Sequence, residues 1–135
     1  MPKLLHCVVV TPEATALEQD AEFVALPLYD GEIGIAPAHS PMIGRLGYGE
    51  MRIRSAGGAV TKYYLDGGFV QVADNVVSVL TNRALPAARV SEDAAQQQLE
   101  VASKRQANTP ELLEIRDRAI AQARAQIRVA RRSRI

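Results

Sequence analysis

The chain has 135 residues, 47% hydrophobic and 23% charged, which is the balance of a folded globular domain or of one small domain with an appendage. Sixteen Lys and Arg against fifteen Asp and Glu leave a net charge of +1, which argues against bulk attraction to nucleic acid or to a membrane surface. One cysteine, Cys7, excludes an internal disulfide, no apolar run reaches the roughly 20 residues of a membrane-spanning helix, and aromatics at 4% with no Trp leave the core to Val, Leu, Ile and Ala.

At the N-terminus, Leu4–Val10 is short and interrupted by His6, with one Lys before it and no small-x-small cleavage pattern after it. It reads as a first β-strand rather than a targeting segment. Further strand candidates follow at Phe23–Pro27, Met51–Ser55, Val60–Leu65, Phe69–Val72 and Val76–Leu80. Met51-Arg52-Ile53-Arg54 alternates apolar with charged, as a half-buried strand does. Gly57-Gly58 and Asp74-Asn75 sit between strand-like runs and mark hairpins. Residues 1–86 are therefore expected to form an antiparallel β-sandwich or flattened barrel.

Beyond Pro86 the chemistry changes. All nine glycines lie at or before Gly68, and the one later proline is Pro110. Residues 1–88 carry six basic against nine acidic side chains, whereas residues 89–135 carry ten against six. Ser91 with Glu92 and Asp93 predicts a helix over about 91–106, and Thr109-Pro110 a second over 110–133. Leu113, Ile120 and Ile127, with Ala123 and Ala130, form a stripe down one face of the second; Ala95, Leu99 and Ala102 form a weaker one on the first. Residues 87–135 are thus expected to form an antiparallel helical hairpin, giving an α+β chain of two parts. Its small contact residues bury little area, so the hairpin is expected to open.

No catalytic constellation stands out. There is no Gly-Lys-Ser/Thr, no Gly-x-Ser-x-Gly elbow and no zinc spacing; Gly44, Gly47 and Gly49 are in the wrong order for a dinucleotide fingerprint. His39-Ser40 are neighbours in sequence, which is not triad geometry. No catalytic residue, metal or cofactor is assigned.

The densest stretch is Asp30-Gly31-Glu32-Ile33-Gly34-Ile35-Ala36-Pro37-Ala38-His39-Ser40-Pro41. Taken alone, its glycines and prolines describe a tight corner between strands, with solvated acids and a locally bonded histidine. Together with VVTPE at Val9–Glu13, Gly49 before MRIR, GGFVQVADNVVSVLTNRA at Gly67–Ala84 and two Ala-rich helices, it resembles the epsilon subunit family of the F-type ATP synthase over nearly the whole chain.

That resemblance implies a non-catalytic subunit of the central rotor stalk, bound to the gamma subunit and seated on the c-ring. It implies that Asp30, Gly31 and Glu32 contact the c-ring and that His39, Pro41 and Met42 lie near gamma. It also implies a regulatory hairpin that, extended, brakes ATP hydrolysis at the beta and alpha subunits. From Arg118 onward there are six Arg and no acid, namely Arg118, Arg124, Arg128, Arg131, Arg132 and Arg134. A solvated helix face explains such a run equally well. Some bacterial members bind ATP at the hairpin through Ile/Leu-Asp-x-x-Arg-Ala. Here Ser91 and Ala94 replace the Asp and the Arg, so no useful ATP binding is expected. The implied location is the cytoplasmic side of a bacterial inner membrane, as a peripheral protein without direct membrane insertion. Arg outnumbers Lys 13 to 3, which favours a GC-rich bacterium over a plastid thylakoid. Two alternatives differ in class: a β-domain whose basic tail binds nucleic acid, and a purely structural rotor linker with an inert tail. The first is opposed by an acidic sheet half without aromatic stacking residues.

Overall fold

The computed structural model describes residues 3–133 and divides into two compact units that meet between Pro86 and Ala87. The first is all β: β1 (Leu5–Val10), β2 (Thr15–Ala21), β3 (Phe23–Leu28), β4 (Gly31–Ile35), β5 (Met42–Arg54), β6 (Val60–Ala73), β7 (Val76–Leu80) and β8 (Ala84–Pro86). The strands form one sheet in the order β2-β1-β7-β6-β5-β3-β4, with β8 also paired to β6. Leu5, Cys7 and Val9 of β1 share one buried cluster with Val24 and Leu26 of β3 and Ile35 of β4. Strands from opposite ends of the order meet there, so the sheet folds over on itself as a sandwich. Period-two alternation supplies the inner face: Leu5/Cys7/Val9, Met51/Ile53, Val70/Val72 and Val77/Val79 are buried. Burial pushes the Cys7 thiol up to about 12, so it behaves as a small core hydrophobe.

Several elements differ from expectation. The segments Val60–Leu65 and Phe69–Val72 are one 14-residue strand, β6, which runs through Gly67-Gly68. Its pairing with β5 skips Gly47 opposite Gly67, so both long strands carry an irregularity at glycines and continue past it. At Gly68, with φ +112°, a Cβ would collide with the Leu80 carbonyl oxygen. The polar residues beside this bend satisfy one another: buried Tyr64 donates its hydroxyl to Asp66, and the buried Thr81 hydroxyl accepts from the Asp66 amide. Gly31–Ile35, expected as a corner, is a strand paired with β3. Gly34 leaves room for the Phe23 ring, which lies only 2.6 Å from where a Cβ would sit. The sheet is not wholly antiparallel, since β1 and β7 pair in parallel. Asp74 and Asn75 adopt φ of 52° and 62° in a two-residue hairpin turn, as their composition requires.

The second unit opens with a short 3-10 turn at Ala87–Arg89, followed by α1 (Glu92–Lys104) and α2 (Pro110–Ser133). Ser91 caps α1 by accepting from the Ala94 amide, and Thr109 caps α2 by accepting from the Leu112 amide. Helix α1 is shorter than the expected 91–106 by a residue or two at each end, the usual fraying margin. Ala95 and Ala102 of α1 are buried, as are Ala123, Ile127 and Ala130 of α2. The stripe fades toward the interhelical loop, where Leu112, Leu113 and Ile115 are exposed.

Candidate functional site

Asp30 lies with Tyr29 in the turn between β3 and β4, and Gly31 and Glu32 begin β4. All four are exposed. Glu32 is nevertheless engaged: Arg52 of β5 donates Nη2 to its Oε1 at 2.7 Å and Nη1 to its Oε2 at 3.2 Å, a bidentate pair. The same Nη1 reaches Glu50 Oε1 at 3.3 Å. The Glu32 carboxylate, helped by Glu50, holds the Arg52 guanidinium above its ordinary range. The turn therefore presents its acids unequally, with Asp30 outward and Glu32 tied to the sheet.

His39 and Pro41 lie in the loop between β4 and β5, and Met42 starts β5. The loop is fixed by a residue far away in sequence. The Asn75 side-chain oxygen accepts from the Ala38 amide at 2.7 Å, where Ala38 takes a left-handed φ of 68°. The Asn75 carbonyl accepts from the His6 amide at 2.7 Å, so one turn residue ties this loop to β1. His39 donates Nδ1 to the Ser40 carbonyl at 2.8 Å, which is the local bonding the residues alone suggested. Met42 packs against the core, while its neighbour Ile43 points outward and is 77% exposed.

Ile43 belongs to an outer-face patch that sequence reading overlooked. Arg45 lies directly across from Phe69, Phe69 across from Leu80, and Leu80 beside Val10 in the parallel pair. Paired residues share a face, so these side chains form a row over four strands, with Ile43 one row away. Phe69 and Leu80 are 58% and 54% exposed. The signal was in the sequence: Met42-Ile43, Phe69-Val70 and Val79-Leu80 are adjacent apolar pairs, and a strand can bury only one of each on a single face. Such a contiguous apolar patch, with Arg45 and Gln71 in its paired rows, is the mark of a protein contact.

The chain matches the family model for the β-sandwich domain of the ATP synthase delta/epsilon chain over residues 4–87. It is 48% identical to the ATP synthase epsilon chain of Rhodopirellula baltica, over 94% of this chain and 98% of that one. The chain belongs to the ATP synthase delta/epsilon family. A Nitratidesulfovibrio vulgaris epsilon chain is 34% identical over 97% of this chain and 95% of its own. Among solved structures, a chain of the Euglena gracilis mitochondrial ATP synthase OSCP/F1/c-ring assembly superposes with a TM-score of 0.82 at 21% identity, covering 93% of this chain and 80% of that one. A chain of the Tetrahymena thermophila mitochondrial ATP synthase central stalk and c-ring gives 0.74 at 16%, covering 96% and 98%. At these identities the likeness is one of fold.

In the second unit, Arg118, Arg124, Arg128, Arg131 and Arg132 are all exposed on α2. Arg134 lies outside the described residues. Arg118 sits 3.6 Å from Glu114 one turn earlier, and Arg131 reaches Glu92 in the first turn of α1 at 3.4 Å. Arg124 and Arg128 make no ion pair among the described residues. Ser91 and Ala94, the two positions expected to break the ATP-binding pattern, together form the cap of α1. Among the described residues no helix is long and apolar enough to cross a membrane, and no group of three or more His, Cys, Asp or Glu could hold a metal ion.

Proposed function

We propose that this chain is the epsilon subunit of a bacterial F-type ATP synthase, a non-catalytic element of the central stalk that links gamma to the c-ring. In that role it passes proton-driven rotation to the catalytic head. The observation that carries the reading is the outer-face row of Phe69, Leu80 and Val10, with Ile43 beside it. It is a rigid apolar surface on a sandwich of the right family. Gamma docks on this row and on the adjoining loop of His39, Pro41 and Met42. The Asp30–Glu32 turn meets the polar loops of the c-ring, where charge sets orientation more than affinity. The protein is held peripherally at the cytoplasmic face of the inner membrane through these partners, without inserting.

The α1–α2 hairpin acts as a brake on ATP hydrolysis. Extended, it presents Arg118, Arg124, Arg128, Arg131 and Arg132 to an acidic segment of the beta subunits, with alpha nearby. Support comes from an exposed run of arginines with no acid after Asp117, in which Arg124 and Arg128 make no ion pair among the described residues. The test is ATP hydrolysis by the cognate alpha-beta-gamma head with the full chain or with one ending at Ala88. Slowing by the full chain alone establishes the brake. If both bind and neither slows hydrolysis, the hairpin is inert. If neither binds, the stalk assignment fails.

A further inference from the structure

The β3–β4 turn carries more than its two acids. The chain has only four Tyr and two Phe, and one of these, Tyr29, stands at the apex of the turn, 70% exposed. An aromatic ring left in water is a large unburied apolar surface. This one is also held in place. The Arg45 guanidinium carbon lies 4.7 Å from the ring centroid, and the Tyr29 amide donates to the Arg45 carbonyl at 2.8 Å. Strand β5 runs close beneath: a Cβ on Gly47 would lie 3.1 Å from the Leu28 carbonyl oxygen and 3.4 Å from the Tyr29 Cα. One residue thus fixes both the backbone and the ring, so little ordering entropy remains to be lost on binding. The charges around the apex are also mostly engaged. Asp30, Glu32 and Glu50 stand against Arg45 and Arg52, with Arg52 bidentate on Glu32 and also in reach of Glu50, so one acid is in excess. The apex thus offers an oriented ring beside an outward acid, Asp30, which favours a cation on the partner.

We infer that Tyr29, clamped by Arg45, is a specificity-determining contact of this turn. The ring face not covered by Arg45 receives a polar loop of a c-ring subunit that presents backbone amides and a cation. The inference rests on the assignment of the turn to the c-ring. Rigid aromatic side chains at the centre of a contact commonly dominate its affinity, while rim charges mainly set approach.

The experiment uses the full chain bound to gamma and measures retention on c-ring membranes stripped of the catalytic head. Asp30→Cys is cross-linked in parallel to a cysteine placed in the c-ring polar loop; buried Cys7 does not compete. The expected result is a cross-link from Asp30→Cys, a loss of retention on the order of tenfold for Tyr29→Ala, and retention within about twofold of the parent for Tyr29→Phe. A cross-link combined with parental retention of Tyr29→Ala overturns the inference and leaves the turn assignment standing. No cross-link overturns both. If Tyr29→Ala melts well below the parent, Arg45→Gln decides: it keeps the ring but releases it, and unchanged retention then overturns the inference.

Discussion

Asn75 does three things at once, two of which suit Asn in particular. It takes a left-handed φ of 62°, its side chain holds the Ala38 amide, and its carbonyl holds the His6 amide. Asn75→Ala should cost about 1–3 kcal/mol, from an orphaned amide and a strained turn, read as a lower urea midpoint. Hydrogen exchange at Ala38 should rise more than exchange in β6; equal changes would mean that the loop is not held by Asn75. His6 gives a pH signature. Its ring lies 3.0 Å from both Asp20 and Glu18, and these two hydrogen bonds raise its pKa above the usual 6.5. A raised folded-state value stabilises through the protonated form, so the contribution is full below about pH 6.5 and is lost as pH rises through the higher folded value. The gap in melting temperature between the parent and His6→Gln should therefore be widest in mild acid and close on the alkaline side. A gap that does not change with pH would show that the carboxylates do not favour the imidazolium.

At the scale of elements, the two units are built by opposite means. In the sandwich, backbone geometry leaves no slack at Gly68, where a Cβ meets the Leu80 carbonyl and φ is +112°. Gly68→Ala should cost roughly 3–5 kcal/mol, because strain and overpacking add at one point. A urea midpoint unchanged from the parent would disprove the close approach. The hairpin instead joins α1 and α2 largely through alanines, with a cleft along Gln97, Val101, Arg105 and Ala119. Little apolar area is buried there, so amides of residues 92–130 should exchange much faster than those of β5 and β6. Exchange as slow as in the sandwich would argue against a hairpin that opens. Both helices and their caps were legible because Ser91, Thr109 and Pro110 act locally. Strands β2 and β4 were not. Thr15–Ala21 is polar and Gly31–Ile35 is rich in Gly, and each is held in place by pairing with a neighbour rather than by its own propensity. The GEIGIAPAHSP segment signalled an unusual path, but its partner Asn75 lay 37 residues from Ala38, beyond any local pattern.

On the whole molecule, charge divides where the fold divides. Residues 1–88 carry an excess of three acids and residues 89–135 an excess of four bases, so a near-zero total conceals two opposed surfaces. The apolar row proposed to dock gamma and the arginine face proposed to brake hydrolysis should therefore answer differently to salt. An apolar contact is little affected by ionic strength, whereas attraction between exposed charges is screened over about 10 Å at 0.1 M and about 3 Å at 1 M. With the alpha-beta-gamma head, raising salt from about 0.05 to 0.5 M should relieve most of the braking of ATP hydrolysis by the full chain. Over the same range, co-purification of the chain with gamma should hardly change. The variant with Arg124 and Arg128 both replaced by Gln should brake weakly at low salt and respond little to added salt, since both arginines make no ion pair among the described residues. Replacing Phe69 by Ser should do the reverse, lowering retention on gamma at every salt concentration. If braking survives high salt in the parent, the brake is steric or apolar, and the exposed Leu112, Leu113 and Ile115 near the interhelical loop become the surface to mutate.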